Sequence, residues 1–305
     1  MDGLYIGLVL VPTLIGVLAA VSCALLGNFL VLRKQSLMGD AVSHVVLPGI
    51  VVAFILTGSV SVGPMLLGAA AAALISALLI ELVRNLGKVE SGAAMGVVFT
   101  ALFALGILLL EQSDTRNVHF DVEHALYGNL ESLVWLAGID ADSIFDRAAL
   151  AGLPPQLGRL FVTLVVVIVF LFVFWRQLVV STFDPVFAHS AGVPVRFIGA
   201  ALISLVAIVA VMAFEAVGAI ITIAMLICPA AAARLMTNRF IPQVVWSVVF
   251  AVVSAVVGFW AAGSGMELIG SGFSVSAAGM IATVSGLILA ICAVAAPQRK
   301  GALDH

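Results

Sequence analysis

Residues 4–32 read LYIGLVLVPTLIGVLAAVSCALLGNFLVL, a run without a charged side chain. A helix needs about 20 apolar residues to cross a hydrocarbon core that is about 30 Å thick. The run is long enough to span a membrane, and it is much longer than the apolar core of a signal peptide. No cationic segment precedes it. We therefore expect it to be retained as a membrane helix.

Apolar runs of the same kind recur along the whole chain. They lie at 41–57, 62–83, 93–110, 160–180, 196–213, 217–233, 242–262 and 273–295. Only a short stretch at 214–218 separates two of them, so the count is eight or nine. The chain is 63% hydrophobic and 10% charged, whereas soluble domains have about 25% charged residues. The sequence predicts an all-α, polytopic membrane protein that forms one transmembrane domain over residues 1–305.

The basic residues predict the orientation, because Lys and Arg collect in cytoplasmic loops. With nine helices and an outside N-terminus, ten of the 13 basic residues fall inside. These ten are Arg33, Lys34, Arg84, Lys88, Arg176, Arg196, Arg234, Arg239, Arg299 and Lys300. We expect a multi-pass membrane protein with its N-terminus outside and its C-terminus in the cytoplasm.

In this topology residues 111–158 form an extracytoplasmic loop that is rich in acidic side chains. Such a segment attracts cations, although a merely solvated loop would have the same composition. Its apolar part at 125–135 is too short to span the membrane, which predicts a re-entrant or interfacial helix. Four side chains of the loop could attract an arriving metal ion. They are His119, Asp121, Glu123 and His124.

A carboxylate and an imidazole stand in the second apolar run, at Asp40 and His44. Residues four apart share one face of a helix, and ionisable residues inside a membrane usually face a cavity or the bundle interior. Carboxylate with imidazole suits Mn²⁺, Fe²⁺ and Zn²⁺. A symmetric dimer would supply four such ligands. The alternative is an Asp–His hydrogen bond that packs two helices.

Two other acids in apolar surroundings have simpler explanations. Glu215 falls between two apolar runs, where we expect a solvated turn residue. Glu81 precedes Arg84 by three residues, which predicts a surface ion pair.

The inside loop at 181–195 reads STFDPVFAHSAGVPV. Asp184 before Pro185 is a helix start, and Gly192 followed by Val193 and Pro194 is a helix stop. A capped helix in such a loop indicates a docking surface for another protein, although it could be a simple connector. No GxxxxGK[ST] motif is present, so we expect no P-loop and no nucleotide site in this chain. Energy must come from an ion gradient or from a separate ATPase.

The segment LRKQSLMGDAVSHVVLPG at 32–49 resembles the most characteristic segment of the ABC-3 family, the membrane permeases of the zinc, manganese and iron ABC importers. STFDPVFAHSAGVP at 181–194 is similar to the segment that meets the ATPase, with Ala188 and Gly192 in an A-x-x-x-G arrangement. The resemblance extends over nearly the whole chain. It includes GAAMGVVFTALFALGILLL (92–110), DVEHALYGNLE (121–131), VGAIITIAMLICPAAAARLMT (217–237) and AAPQRKG (295–301).

The resemblance implies a type II-like importer core. Two permease subunits, as a homodimer or with a paralogue, surround the path. Two cytoplasmic ABC ATPases bind the ATP, and an extracytoplasmic binding protein delivers Mn²⁺, Zn²⁺ or Fe²⁺, with manganese or iron favoured. Asp40 and His44 match the metal-coordinating pair, and Asp184, Pro185, Ala188 and Gly192 match the ATPase-coupling segment. No permanent cofactor, no catalytic residue and no nucleic acid is implied.

Three other functions remain open from the residues alone. A proton-coupled secondary transporter would use Asp40 and His44 as a proton relay and would need no ATPase. An intramembrane metallohydrolase would need a third ligand and a general base, and HExxH is absent. A membrane scaffold that only binds a partner would need neither residue.

Overall fold

The computed structural model describes residues 6–58, 62–112, 130–136, 147–265 and 275–296. Within these ranges the chain forms eleven α-helices and no strand. The helices are α1 (Val11–Leu32), α2 (Met38–Thr57), α3 (Val62–Gly87), α4 (Ser91–Gln112), α5 (Arg147–Leu150), α6 (Pro155–Phe183), α7 (Pro185–Ser190), α8 (Val195–Val217), α9 (Ala219–Met236), α10 (Phe240–Trp260) and α11 (Ala277–Ala295). Turns of π-helix precede α1 at Ile6–Leu10 and follow α10 at Ala261–Gly265.

All these helices except α5 and α7 are long and apolar enough to cross a membrane, which gives nine candidate spans in the described part of the chain. The predicted all-α membrane fold is confirmed. The doubtful pair of apolar runs around 196–233 consists of two helices, α8 and α9, joined at Gly218. This glycine has φ +83°, a left-handed conformation that other residues rarely adopt.

The described residues belong to two compact units. The first takes in 1–28, 123–166 and 213–305, and the second takes in 29–122 and 167–212. Helices α1, α6 and α8 each contribute one part to each unit. The single domain over 1–305 stays a prediction.

In the first unit, hydrogen bonds between buried polar side chains join α1 to α10. Asn28 Nδ2 donates to Ser247 Oγ over 2.7 Å, and Gln243 Nε2 donates to Asn28 Oδ1 over 3.1 Å. All three side chains are fully buried. Polar side chains among membrane helices stabilise packing by bonding across the helix interface. These hydrogen bonds therefore fix how α1 and α10 are aligned.

The expectation that Glu215 is a solvated turn residue is wrong. Helix α8 continues to Val217, so Glu215 lies in its last turn. There it forms an ion pair with Arg159 of α6, and its side chain is only 16% exposed. The partner lies 56 residues away in sequence, so no local pattern indicates the pair.

The described end of the outer segment, residues 130–136, contains a 3₁₀ turn at Leu130–Ser132. Trp135 is buried, and its indole Nε1 donates to the carbonyl oxygen of Ala149 over 2.8 Å. Residues 125–129, which form the first part of the predicted re-entrant helix at 125–135, lie outside the described residues.

Candidate metal site

The end of α1 sets where the candidate site begins. Lys34 has φ +56°, the amide of Lys34 donates to the carbonyl oxygen of Val31, and the amide of Gln35 donates to that of Leu30. This is a Schellman motif with lysine in the position that usually belongs to glycine. The chain therefore turns sharply at 33–37, and α2 begins at Met38.

Asp40 lies in the first turn of α2, where a carboxylate is stabilised by the positive end of the helix dipole. His44 follows one turn later, and its Nε2 lies 3.7 Å from Asp40 Oδ1. That separation is too long for a hydrogen bond. Two ligands at about 2.1 Å from one tetrahedral metal ion lie about 3.4 Å apart. A small adjustment of either side chain would therefore let both bind the same cation.

Two rings of α4 fix the orientation of the His44 imidazole. Phe99 stacks on it with ring centroids 5.2 Å apart and planes at 19°, and Phe103 meets it edge-on at 5.4 Å. These contacts hold the imidazole from the α4 side. The His44 side chain is still 41% exposed and that of Asp40 43%, so other ligands have room to approach.

Close helix contacts hold α2 in place just beyond His44. Pro48 interrupts the helix hydrogen bonds and packs against Gly106 of α4, where an added Cβ would lie 2.8 Å from the Pro48 Cβ. Gly49 meets Gly68 of α3 so closely that an added Cβ on Gly49 would lie 2.7 Å from the Ala72 Cβ. Small residues let membrane helices approach in this way.

Among the residues that the structure describes, the pair does not form a complete metal site. In the described ranges, no cluster of three or more His, Cys, Asp or Glu side chains could hold a metal ion. Structural zinc sites have four protein ligands. The arrangement therefore suits a cation that is held briefly, or one that takes further ligands from another chain or from water.

The predicted outer metal-attracting residues His119, Asp121, Glu123 and His124 lie outside the described residues. Their role stays a prediction.

Helix α7 occupies the predicted inner loop. The Asp184 carboxylate accepts a hydrogen bond from the Phe187 amide over 2.8 Å, Pro185 is the first helical residue, and Gly192 has φ +77°. Asp184, Pro185 and Gly192 are exposed, whereas Ala188 is fully buried. Ala188 therefore anchors the helix to its own chain.

Two large apolar side chains of α7 are exposed. Val186 is 79% exposed and Phe187 59%. Sequence reasoning found the caps of this helix but not these side chains, and it also missed Phe99, Phe103 and Gly106. The i, i+4, i+7 spacing of those three α4 residues is a signal for one helix face, but other stripes of that helix are equally apolar.

A family model describes most of the chain. Residues 7–137 and 149–296 match the model of the ABC 3 transport family. Among curated proteins, the manganese transport system membrane protein MntD of Bacillus subtilis (strain 168) is 39% identical over 251 residues, which is 81% of each chain. The zinc transport system membrane protein TroD of Treponema pallidum (strain Nichols) is 40% identical over 216 residues, which is 71% of this chain and 56% of TroD.

A solved structure shares the fold over nearly the full length. A chain of PsaBC from Streptococcus pneumoniae in complex with Fab has a TM-score of 0.72 and 28% sequence identity. The likeness covers 97% of this chain and 95% of that one.

Proposed function

The chain belongs to the ABC 3 transport family, and on that premise we propose that it is the permease subunit of an ATP-driven importer for a divalent transition-metal ion. It is not an enzyme itself, because ATP is hydrolysed by a separate partner chain in this class of importer. The observation that carries the proposal is the Asp40–His44 pair, which is spaced for one cation and half exposed.

The exposure of the pair supports a transient binding site. A cation that must leave again is better served by few ligands than by a closed cage, because a tight cage would not release it. A second permease subunit related by a two-fold axis would bring another Asp40 and another His44. In that dimer, two half sites would share one ion on the path through the membrane.

Helix α7 is the proposed contact with the ATPase. The exposed side chains of Val186 and Phe187 would bind in an apolar groove on the ATPase, in the way that helices commonly bind in grooves of partner proteins. The buried Ala188 packs α7 against the permease. In this proposal α7 lies on the cytoplasmic side and the N-terminus lies outside. The permease spans the bacterial plasma membrane, and an extracytoplasmic binding protein would deliver the metal to it.

We expect Asp184→Ala and Gly192→Val to weaken coupling to the ATPase. Losing the N-cap costs about 1 kcal/mol, and a left-handed conformation costs a non-glycine residue about 1–2 kcal/mol. A helix of six residues has little stability of its own to lose. The measurement is ATPase stimulation by the loaded binding protein in the reconstituted complex, which should fall several-fold.

The matched control is Gly63→Val. An added Cβ at Gly63 of α3 meets nothing within 4 Å, so this variant should keep full stimulation. Unchanged stimulation in Asp184→Ala and Gly192→Val would count against α7 as the docking helix.

The cargo itself is tested by uptake. Manganese, zinc and iron all accept carboxylate and imidazole ligands, and the manganese transport membrane proteins among the relatives favour manganese. Cells that lack their own importers would produce this permease with its ATPase and binding protein, and uptake of each radioactive metal would be measured. We expect uptake of at least one metal, lost when ATP is depleted at constant membrane potential. Uptake that continues without ATP would instead indicate a proton-coupled transporter.

A further inference from the structure

Arg33 contacts both of the helices that flank α7, at the end of α6 and near the start of α8. It directly follows α1, which ends at Leu32, and its guanidinium reaches the last turn of α6. Arg33 Nη2 donates to Ser181 Oγ over 2.8 Å, and Arg33 Nε donates to Thr182 Oγ1 over 3.0 Å. Asp184, the N-cap of α7, follows Thr182 by two residues.

The two hydroxyls can only accept from Arg33, because their own hydrogens are used. Ser181 Oγ donates to the carbonyl oxygen of Leu178 over 3.2 Å, and Thr182 Oγ1 donates to the same oxygen over 2.6 Å. The hydrogen bonds therefore run in one direction, from Arg33 to the hydroxyls and on to the α6 backbone. Only a side chain with two donors in a fork matches both acceptors.

The same guanidinium also borders α8, the helix that follows α7. An added Cβ on Gly199 would lie 3.6 Å from Arg33 Nη1, which is an ordinary van der Waals distance and shows that the guanidinium lies against this part of α8. Arg33 thus lies beside the helix that leads into α7 and the helix that leads out of it.

A short connector that is held by backbone hydrogen bonds links Arg33 to the metal pair. Within it, the Gln35 amide donates to the Leu30 carbonyl over 2.8 Å, the Met38 amide to the Gln35 carbonyl over 3.0 Å, and the Ala41 amide to the Leu37 carbonyl over 2.9 Å. Gln35 and Met38 are buried. A displacement of Arg33 is therefore passed to Asp40 by a backbone that has little freedom to absorb it.

Arg33 keeps its charge in this position. Burial, together with the Arg84 cation, lowers the pKa of Arg33 to about 10, and Glu81 opposes the change. The guanidinium therefore stays protonated at neutral pH, where its hydrogen bonds are charge-assisted and stronger than neutral ones.

We propose that Arg33 is a positioning residue that couples α7 to the Asp40–His44 pair, through its fork on Ser181 and Thr182 and through the 33–40 connector. This inference rests on the proposed function. When the ATPases move α7, the ends of α6 and α8 move with it, and Arg33 carries that motion into the first turn of α2. Without the fork, ATP would be hydrolysed while Asp40 and His44 keep their place.

The test is the number of metal ions transported per ATP hydrolysed. The complete complex of permease, ATPase and binding protein would be reconstituted in proteoliposomes, and manganese, zinc and iron would each be offered alone while metal uptake and phosphate release are followed together. We expect Arg33→Lys to lower the ratio roughly tenfold, which corresponds to about 1.4 kcal/mol, while ATPase stimulation stays near wild type. Lysine keeps the charge but lacks the fork.

Three further variants separate coupling from general damage. Ser181→Ala combined with Thr182→Val removes both acceptors and should lower the transport ratio as much as Arg33→Lys does. Adding Arg33→Lys to this double variant should not lower the transport ratio any further. Arg176→Ala removes an exposed arginine from the same helix end and should leave the ratio unchanged.

The outcomes are distinct. A parallel loss of uptake and of ATP hydrolysis in Arg33→Lys would make Arg33 a stabilising residue only and overturn the inference, as would a normal ratio or an additive effect in the combined variant. If the wild-type complex takes up none of manganese, zinc or iron, the proposed function fails, and the inference fails with it.

Discussion

Replacing either Asp40 or His44 with alanine is expected to reduce metal uptake to the background of cells without an importer. With Nε2 and Oδ1 3.7 Å apart, each variant leaves half of a site that has no third protein ligand in the described part of the chain. Losing even an outer partner of a metal ligand typically costs about 10–100-fold, and losing one of two direct ligands should cost more. The measurement is initial uptake of radioactive manganese, zinc and iron.

The variants must still assemble for this result to mean anything. The Asp40 side chain is 43% exposed, so the purified Asp40→Ala complex should elute and melt as the wild type does. His44→Ala loses the ring contacts with Phe99 and Phe103, so its complex should elute as the wild type does and melt slightly below it. Asp40→Asn and His44→Gln keep the approximate shapes and should fail in the same way. Glu90→Gln, which neutralises an exposed carboxylate ahead of α4, should take up metal normally. Wild-type uptake in Asp40→Ala and His44→Ala would make the two residues a packing pair.

Gly49→Ala is expected to destabilise the permease and remove most of its uptake. The added methyl group would overlap the Gly68 carbonyl and lie 2.7 Å from the Ala72 Cβ, so α2 and α3 would have to separate. Forcing extra volume into a packed contact costs about 1–3 kcal/mol. Because Gly49 follows His44 by little more than one turn, the separation would also shift the metal pair. Thermal unfolding in detergent and uptake in cells would be compared.

Gly96→Ala is the matched control, since it adds the same methyl group to α4 where nothing lies within 4 Å. Its stability should equal or slightly exceed that of the wild type, because alanine favours the helix over glycine. Gly68→Ala, where the added Cβ would lie 2.6 Å from the Ala53 Cβ, should resemble Gly49→Ala. If all three variants melt alike, α2 and α3 do not cross at these glycines.

Local features of the site followed from the sequence. Asp40 and His44 come together wherever their segment forms a helix, because they are four residues apart. The two ends of α7 are predicted by Asp184, Pro185 and Gly192, which follow one another within nine residues. Such features are decided within a few residues. The positions of the nine spans in the described part followed for the same reason, because each membrane helix bonds its own backbone and must be apolar along its whole length.

The tertiary structure alone decided which faces of those helices meet. Three sets of contacts join residues that are far apart in sequence. They are the packing of Phe99 and Phe103 on His44, the ion pair of Glu215 with Arg159, and the hydrogen bonds of Arg33 to Ser181 and Thr182. In a soluble protein the apolar stripe of a helix marks its buried face. Lipid tails are as apolar as a neighbouring helix, so a membrane helix is apolar on every side and its sequence does not mark the face that packs.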